Sequence, residues 1–149
     1  MPQESNKPVA KAAKTIGMNC LAARTRLINR TITAIYDEAL RPLGVTSNQL
    51  TILVVVTNGG PISPSEIAQN LNMEKSTVSR NIGRMRSNGW LTVTPAESGR
   101  GQWLTLNDRG SALVAESLPL WKNAQAQAKA VLGQRGADSI RSLGNLMWD

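Results

Sequence analysis

Hydrophobic residues recur at helical spacing in the first third of the chain, from Thr15 to Leu40, and no proline interrupts them. They form two stripes. One stripe contains Ile16, Cys20, Ala23 and Leu27, and the other contains Leu21, Ile28, Ile32 and Ile35. The spacing predicts one helix, which ends where the segment RPLG follows Leu40. Two apolar faces on one helix indicate burial against two neighbours, and a second copy of the chain is a candidate for one of them.

Two capping boxes predict two short helices after this segment. The first box, TSNQ, starts at Thr46 and opens a helix through about Thr57, where the segment NGGP follows. The second box, SPSE, starts at Ser63 and has a proline in the first helical position, which predicts a helix to near Asn70. Only a few residues separate Asn70 from the next helical pattern, so we expect a tight turn there.

The next helix, predicted from about Glu74 to Asn88 with Gly89 as its left-handed stop, has two chemically distinct sides. The apolar side consists of Val78, Ile82 and Met85. The opposite side consists of Ser76, Arg80, Gly83 and Arg84, with Thr77 and Asn81 beside them. Hydroxyls and backbone amides at a helix start bind phosphate, and arginine bonds a guanine edge with two donors. A helix, a short turn and a second helix of this kind are the arrangement that enters the major groove of DNA.

Two segments with alternating apolar residues follow, WLTVT from Trp90 and QWLTL from Gln102. They predict a pair of strands joined by the polar tip PAESGRG. Arg100 lies at this tip, where it can reach a minor groove. Trp90 and Trp103 are expected in the packing of the hairpin. Together with the preceding helix pair, the hairpin completes the plan of a winged helix-turn-helix.

Two helices are predicted after the hairpin. Asn107 is a candidate cap for a long helix that bends at Pro119, and a short final helix follows. The long helix has an apolar stripe of Val114, Leu118, Trp121, Ala128 and Leu132. The final helix carries Ile140, Leu143 and Met147. The predicted fold class is therefore mainly α with a small β-hairpin wing.

Composition narrows the function. The chain has 149 residues, a net charge of +7 and a pI near 10.3, which favours an acidic partner such as nucleic acid. It has no histidine, and the adjacent carboxylates Asp37 and Glu38 point about 100° apart on a helix instead of converging. The sequence therefore predicts no enzyme, no metal site and no cofactor.

Cysteine content and hydropathy indicate the compartment. The single cysteine, Cys20, excludes an intrachain disulfide and fits a reducing cytoplasm. The longest strongly apolar run, Ile52–Val56, is too short to span a bilayer. Residues 1–14 are interpreted as a flexible basic tail and not as a signal peptide. We therefore expect a cytoplasmic protein with no membrane partner.

From Thr46 to Gly110 the sequence resembles the MarR family of bacterial transcriptional regulators. The matching segments are LTILVVV after the first capping box, SPSEIAQNLNMEKSTVSRNIGRMRSNGW as the helix-turn-helix, and RGQWLTLNDRG as the second wing strand and the start of the next helix. The segment IYDEALRPLGVT before them is also similar to family sequences. The resemblance extends from about Asn19 to Leu132, and the motifs occur in the family's order and spacing.

The resemblance implies a homodimer that binds a pseudo-palindromic operator of double-stranded DNA. The implied division is a single domain at 15–149, with a winged helix-turn-helix at 46–106 flanked by N- and C-terminal dimerisation helices at 15–45 and 107–149. The implied major-groove residues are Ser76, Thr77, Ser79, Arg80 and Arg84. Arg100 matches the wing arginine, and Glu97 occupies the place of its usual acidic partner. The wing sequence PAESGRGQ has fewer Asp and Arg residues than is common in the family.

Cys20 has two interpretations. Some relatives sense organic hydroperoxides through a cysteine in the first helix, but that position falls on Ala22 here, and the two assisting tyrosines are not reproduced because Tyr36 is the single tyrosine. The apolar stripe around Cys20 favours packing. Arg24, one turn away, favours sensing because a nearby cation activates a thiol.

The predicted function is a sequence-specific DNA-binding transcriptional regulator. We expect a homodimeric repressor that a small-molecule effector releases from DNA, with an aromatic compound as a candidate effector. Two alternatives stay open: a thiol-based oxidant-sensing regulator that uses Cys20, and a non-specific DNA-binding structural protein.

Overall fold

The computed structural model of the chain describes residues 6–148. The chain divides into two compact units, Met1–Ala34 and Ile35–Asp149. The helices are α1 (Lys7–Asn19), α2 (Leu21–Leu40), α3 (Ser47–Gly59), α4 (Pro64–Asn70), α5 (Lys75–Ser87) and α6 (Asp108–Trp148), and the strands are β1 (Leu91–Pro95) and β2 (Gln102–Leu106). A 3-10 turn, Arg41–Leu43, lies between α2 and α3. The predicted class, mainly helical with a β-hairpin, is confirmed.

In the N-terminal unit, α1 begins at Lys7, so residues 7–14 are helical and do not form the predicted flexible tail. Lysine and alanine dominate this stretch and favour helix. Pro8 lies in the first turn, where its missing N–H would have no partner in any case. The part of the predicted tail at residues 1–5 lies outside the described residues.

The prediction of one continuous helix from Thr15 to Leu40 is wrong at a single residue. Cys20 adopts φ −68° and ψ 107°, an extended conformation that separates α1 from α2. Carbonyl groups in the last turn of α1 find a side-chain donor there, because the Arg24 guanidinium donates to the carbonyl oxygens of Gly17 and Met18. The stripe that includes Cys20 is therefore not continuous on one helix.

In the second unit, both predicted capping boxes form with both of their bonds. Thr46 Oγ1 accepts from the Gln49 amide at 3.2 Å, and Gln49 Oε1 accepts from the Thr46 amide at 3.0 Å. Ser63 and Glu66 repeat this exchange at 3.2 and 2.8 Å. These bonds satisfy amides that have no partner inside a helix, and they fix where α3 and α4 begin.

One hydrophobic core holds α3, α4, α5 and the hairpin together. Its completely buried apolar side chains are Leu40, Ile52, Leu53, Ile67, Val78, Met85 and Leu104. Each of α3, α4, α5 and β2 contributes at least one of them. Burial of a side chain of this size stabilises the fold by about 1.5–3 kcal/mol. The core therefore fixes the orientation of α5, which carries the candidate DNA-binding residues.

The hairpin pairs β1 with β2 antiparallel along the full length of both strands. Ile62, just before α4, adds one bridge to Leu104, with N–O distances of 3.2 and 2.9 Å. Trp90 is buried, as predicted, but Trp103 is 38 % exposed. Side chains alternate along a strand, so the inward position of Leu104 directs Trp103 to the outer face.

The long helix α6 begins at the predicted cap, because Asn107 Oδ1 accepts from the Gly110 amide at 2.9 Å. The helix continues through Pro119, and its non-helical residue is Gly133, with φ 69° and ψ 164°. The structure thus has a break at Gly133, where glycine tolerates positive φ, and not at Pro119. The break divides α6 into segments 108–132 and 134–148, which correspond to the two helices predicted after the hairpin.

The side of α6 that packs inward differs from the predicted stripe. The buried side chains of α6 are those of Leu113, Ser117, Ala124 and Ala128, and of these residues only Ala128 belongs to the stripe. Leu118 and Trp121 remain 51 % and 39 % exposed. α6 packs against α3 and β2, and Leu113 is the buried α6 side chain that joins their hydrophobic core. The larger apolar side chains lie on the neighbouring side of the helix.

Large hydrophobic side chains remain exposed in both units. In the N-terminal unit they are Val9, Ile16, Met18, Leu21, Leu27 and Ile28. On α6 they are Leu118, Trp121, Val131, Ile140, Leu143, Leu146 and Met147. Exposed apolar surface of this extent marks interaction sites. No single helix among the described residues is long and apolar enough to cross a membrane, although Leu21–Leu43 and Ser47–Gly59 meet the length and composition test as a bent pair.

Candidate nucleic-acid interface

α5 has the two sides that its sequence predicts. Its buried residues are Val78, Ile82 and Met85. Its exposed residues include Ser76, Ser79, Arg80, Gly83 and Arg84, and Thr77 is half-buried. The core therefore holds α5 by one side, and the hydroxyls and arginines occupy the other. This arrangement brings five of the six predicted DNA-binding residues together on one helix.

The first turns of α5 concentrate hydrogen-bond donors. Glu74 is the cap residue of α5 but makes no side-chain cap bond, so the amides at the helix start lack a capping side chain. Arg80 Nη2 donates to Thr77 Oγ1 at 3.2 Å, which orients the guanidinium along the helix surface. Amides at a helix start attract phosphate, and a guanidinium can bond a guanine edge or a phosphate with two donors.

An open groove lies beside these arginines. It is lined by Gln49, Arg80, Gly83, Arg84, Ser87 and Asn88. Because Gln49 belongs to α3, the groove joins the start of α3 to the middle and end of α5. Sequence reasoning identified Gln49 only as a capping residue and did not include Ser87. The spacing of Ser87, seven residues after Arg80 and three after Arg84, would have indicated its place on this side of the helix.

α5 ends in the left-handed stop predicted at Gly89, which has φ 73°. The Gly89 amide donates to the Arg86 carbonyl at 2.9 Å, and the Trp90 amide donates to the Met85 carbonyl at 3.0 Å. This pair of bonds is a Schellman motif, which satisfies two carbonyls at the helix end.

The end of α5 is joined directly to the start of α6. Asn107 Nδ2 donates to the Gly89 carbonyl at 2.8 Å while Asn107 Oδ1 caps α6. Gly110 lies so close to Trp90 that a Cβ at this position would be 2.1 Å from the Trp90 carbonyl oxygen. Asn107 and Gly110 therefore hold α5 and α6 in a fixed relative position.

The wing tip is a tight turn that exposes Arg100. The Ala96 amide donates to the Gly101 carbonyl at 3.1 Å, and the Gly99 amide donates to the Ala96 carbonyl at 2.9 Å. Glu97 and Arg100 both belong to the described part of the chain, yet they form no ion pair, in contrast to the expected pairing. Both side chains are exposed at a turn, where an ion pair gains little over hydration.

The adjacent carboxylates Asp37 and Glu38 have structural partners. Asp37 Oδ1 accepts from the Ser47 amide at 2.7 Å and so supports the start of α3. Glu38 forms an ion pair with Arg41 in the following turn.

Tyr36 and Cys20, the residues considered for redox sensing, also have structural surroundings. The Tyr36 hydroxyl donates to Gln125 Oε1 on α6, and burial raises the pKa of Tyr36. Cys20 is half-buried at the break between α1 and α2. Arg24, which was expected to favour sensing, donates to backbone carbonyls of α1.

The fold and the site define a winged helix-turn-helix protein. The model of the MarR family matches residues 43–101. YwoH of Bacillus subtilis, described as an uncharacterized HTH-type transcriptional regulator, is 36 % identical over 70 residues, which are 47 % of this chain and 51 % of YwoH. The chain thus spans about half the length of this curated relative.

Similarity to solved structures covers most of the chain. The M. tuberculosis transcriptional regulator MosR, in complex with DNA, is 31 % identical with a TM-score of 0.75, over 87 % of this chain and 94 % of MosR. A mutant of E. coli MarR complexed with operator DNA has a TM-score of 0.77 at 20 % identity, over 90 % of this chain and 97 % of that one, and shows the same fold. The chain belongs to the MarR family, whose members are DNA-binding transcriptional regulators and not enzymes.

Proposed function

We propose that this chain regulates transcription by binding a pseudo-palindromic operator through the exposed side of α5. The observation that carries the proposal is the division of α5, whose apolar side is buried while its serines and arginines are exposed. We assign Ser76, Thr77, Ser79, Arg80 and Arg84 to the major groove. We assign Arg100, at the exposed wing tip, to the minor groove. MosR, which is similar to this chain, has been solved in complex with DNA, and this supports DNA as the partner.

Within this interface, the arginines supply base recognition and the hydroxyls supply phosphate contacts. Arg80 is already oriented by its bond to Thr77, so less side-chain freedom is lost when it meets a base. Gly83 lies between the two arginines along the chain and permits close approach of the DNA. Gln49, in the groove beside them, adds a side-chain amide from α3.

We further propose that the active form is a homodimer. Exposed apolar residues occur in α1 and α2 of the N-terminal unit and, separately, in segment 134–148 of α6. A second copy of the chain is the partner that offers the same surfaces in return, because a two-fold interface is self-complementary. Two copies of α5 then bind two half-sites about one turn of DNA apart.

The proposed regulator is a repressor that a small-molecule effector releases from DNA. The effector would act by changing the distance between the two α5 helices, because only one spacing fits successive major grooves. Trp121 is 39 % exposed on the same side of α6 as Gln125, which bonds Tyr36. This surface has the chemistry to contact an aromatic compound.

The test is selection of bound DNA from a random pool, followed by affinity measurements on the selected site. We expect two inverted half-sites about 10 bp apart. Arg80→Ala and Arg84→Ala should each weaken binding by about 1–3 kcal/mol if the arginine bonds a base. Arg86→Ala is the matched control, because Arg86 has the same charge on the same helix but points about 120° or more away from both.

Two outcomes would contradict the proposal. Recovery of no consensus sequence would favour the alternative of a non-specific DNA-binding structural protein. Equal effects of the Arg80, Arg84 and Arg86 substitutions would remove the exposed side of α5 from the interface. Compounds that release the selected DNA can then be screened to identify the effector.

A further inference from the structure

Most of the net positive charge belongs to a part of the sequence outside the winged region. Residues 1–34 contain six of the 17 basic residues and one of the ten acidic residues, so they carry +5 of the net +7. Residues 46–106 contain five basic and three acidic residues, so they carry only +2. The N-terminal unit, Met1–Ala34, is therefore the most basic part of the molecule, although the proposed recognition helix lies elsewhere.

α1 organises part of this charge into one face. Lys7, Lys11 and Lys14 follow at intervals of four and three residues, which places them on the same side of the helix. All three side chains are exposed, and none takes part in an ion pair among residues 6–148. No acidic residue occurs between Glu4 and Asp37, so no carboxylate competes for this face from within the unit.

α2 adds a second basic strip. Arg26 and Arg30 are exposed and lie four residues apart on one side of the helix. The other side carries the apolar residues Leu21, Ile28 and Ile32, which helical spacing places opposite the two arginines. Each helix of the N-terminal unit thus pairs an apolar side with a cationic side.

We propose that the lysine face of α1 is a second DNA-contact surface that binds phosphates without reading bases. This inference rests on the proposed function and assigns to the N-terminal unit a share of operator affinity. Phosphates are the partner with complementary charge, and a regularly spaced row of lysines suits a regularly charged polymer. Lysine contributes a point charge and not a two-donor fork, which fits a contact that gives affinity but no sequence preference.

An anionic lipid surface is the competing partner, and the composition of α1 argues against it. Helices that lie in a membrane interface carry Trp, Phe or Leu on the apolar side. α1 contains none of these, and the side opposite its lysines consists of Val9, Ile16 and the alanines between them. Such a side buries too little apolar area to hold the helix in a bilayer.

The experiment measures affinity for the selected operator as a function of salt concentration. The variant Lys7→Gln/Lys11→Gln/Lys14→Gln should make the negative slope of log affinity against log salt shallower by about 3 for each protomer on DNA. The control Lys122→Gln/Lys129→Gln/Arg135→Gln removes the same charge from exposed positions of α6 and should leave the slope unchanged. A Lys→Arg version of the α1 triple should keep the parental slope. Circular dichroism checks that both glutamine variants keep the parental helix content.

The outcomes separate this inference from the proposed function. An unchanged slope in the α1 triple, with the operator still selected, overturns the inference and leaves the proposed function intact. Equal slope changes in both glutamine triples also overturn it, because they would report total charge and not a surface. Lysine-dependent sedimentation with phosphatidylserine vesicles, together with an unchanged slope, would identify a lipid surface instead. A parent chain that selects no operator contradicts the proposed function, whatever the slopes show.

Discussion

The winged region and the N-terminal unit are both built from amphipathic helices, but only the winged region buries its apolar side chains within the chain. Residues 46–106 contribute most of the buried core, including the fully buried Leu53, Ile67 and Met85. In the described part of the N-terminal unit, residues 6–34, no side chain is buried, and Leu21 and Leu27 are 78 % and 67 % exposed. The winged region therefore holds its fold within one chain, whereas the N-terminal helices have apolar faces that only another surface can cover.

The largest expected effect is on the free energy of unfolding, when a fully buried side chain of the winged region is truncated. Leu53→Ala should lower the free energy of unfolding by about 2–5 kcal/mol, because Leu53 is fully buried and its truncation leaves a cavity. Val54→Ala, at the adjacent and 39 % exposed position, is the matched control and should change it far less. Urea unfolding measures both. Similar losses in the two variants would show that α3 is not held by its buried side.

A smaller effect is expected from the exposed apolar side chains at the end of α6, which we assign to the proposed dimer interface. Leu143→Gln/Met147→Gln should raise the dissociation constant of the dimer at least about tenfold, since burying one such side chain is worth about 1.5–3 kcal/mol and 1.4 kcal/mol is tenfold. Ser142→Gln/Asn145→Gln changes exposed polar positions of the same segment and should leave it unchanged. Sedimentation equilibrium measures the assembly. A parent chain that is monomeric at micromolar concentration would contradict the proposed homodimer.

The hydrogen bonds of Asn107 that link the end of α5 to the start of α6 should contribute less to the free energy of unfolding than a buried core side chain. Asn107→Ala removes the cap of α6 and the bond to the Gly89 carbonyl, so we expect a loss of about 1 kcal/mol, within a range of 0.5–2. Asn145→Ala, at an exposed position of α6, serves as the control. Thermal and urea unfolding should agree on the difference. No loss in Asn107→Ala would mean that this joint does not contribute to stability.

The second capping box predicts a small pH effect. Hydrogen bonds from the side chain and backbone of Ser63 lower the pKa of Glu66 below its ordinary value of 4.5. A lowered folded pKa gives stability that is present above the unfolded pKa and is lost as pH falls through the folded pKa. The free energy of unfolding of the parent should therefore fall between pH about 6 and pH about 3, and in Glu66→Gln this fall should be smaller. Glu116→Gln removes the same charge at an exposed position of α6 outside the capping box and serves as the matched control.

The smallest expected effect concerns Cys20. We predict that cumene hydroperoxide leaves the operator affinity of the parent unchanged, since Arg24 is bonded to carbonyls and the thiol is half-buried at a helix break. Cys20→Ser should then show the same response as the parent. Release of DNA from the parent but not from Cys20→Ser would instead establish the oxidant-sensing alternative.

The same contrast explains which features could be predicted from the sequence. The starts of α3 and α4 and the end of α5 depend on residues within a few positions of each other, such as the TSNQ box and Gly89, so local rules located them. The exposed side of α5 followed from three buried residues at helical spacing. By contrast, no glycine or proline at Cys20 predicts the break there. The position of Gln49 in the same groove as Arg80 depends on where the tertiary fold places α3 and α5. The buried side of α6 also depends on tertiary packing. Ser117, Ala124 and Ala128 are buried there, whereas Leu118 and Trp121 of the predicted stripe are exposed.

Gly110 packs against the Trp90 carbonyl, three residues after the end of α5. A rotation of segment 108–132 about this contact therefore also turns the end of α5. A helix of 25 residues is about 37 Å long, so a rotation of about 5° around Gly110 moves its far end by roughly 3 Å. The same relation holds in the opposite direction: a displacement of about 3 Å near Leu132 rotates the contact between Gly110 and Trp90 by about 5°. Because Gly110 leaves no room for even a methyl group, little of this motion is lost to slack at the joint. In the proposed complex with DNA, a small displacement near Leu132 would therefore reach the proposed recognition helix α5 as a change of angle.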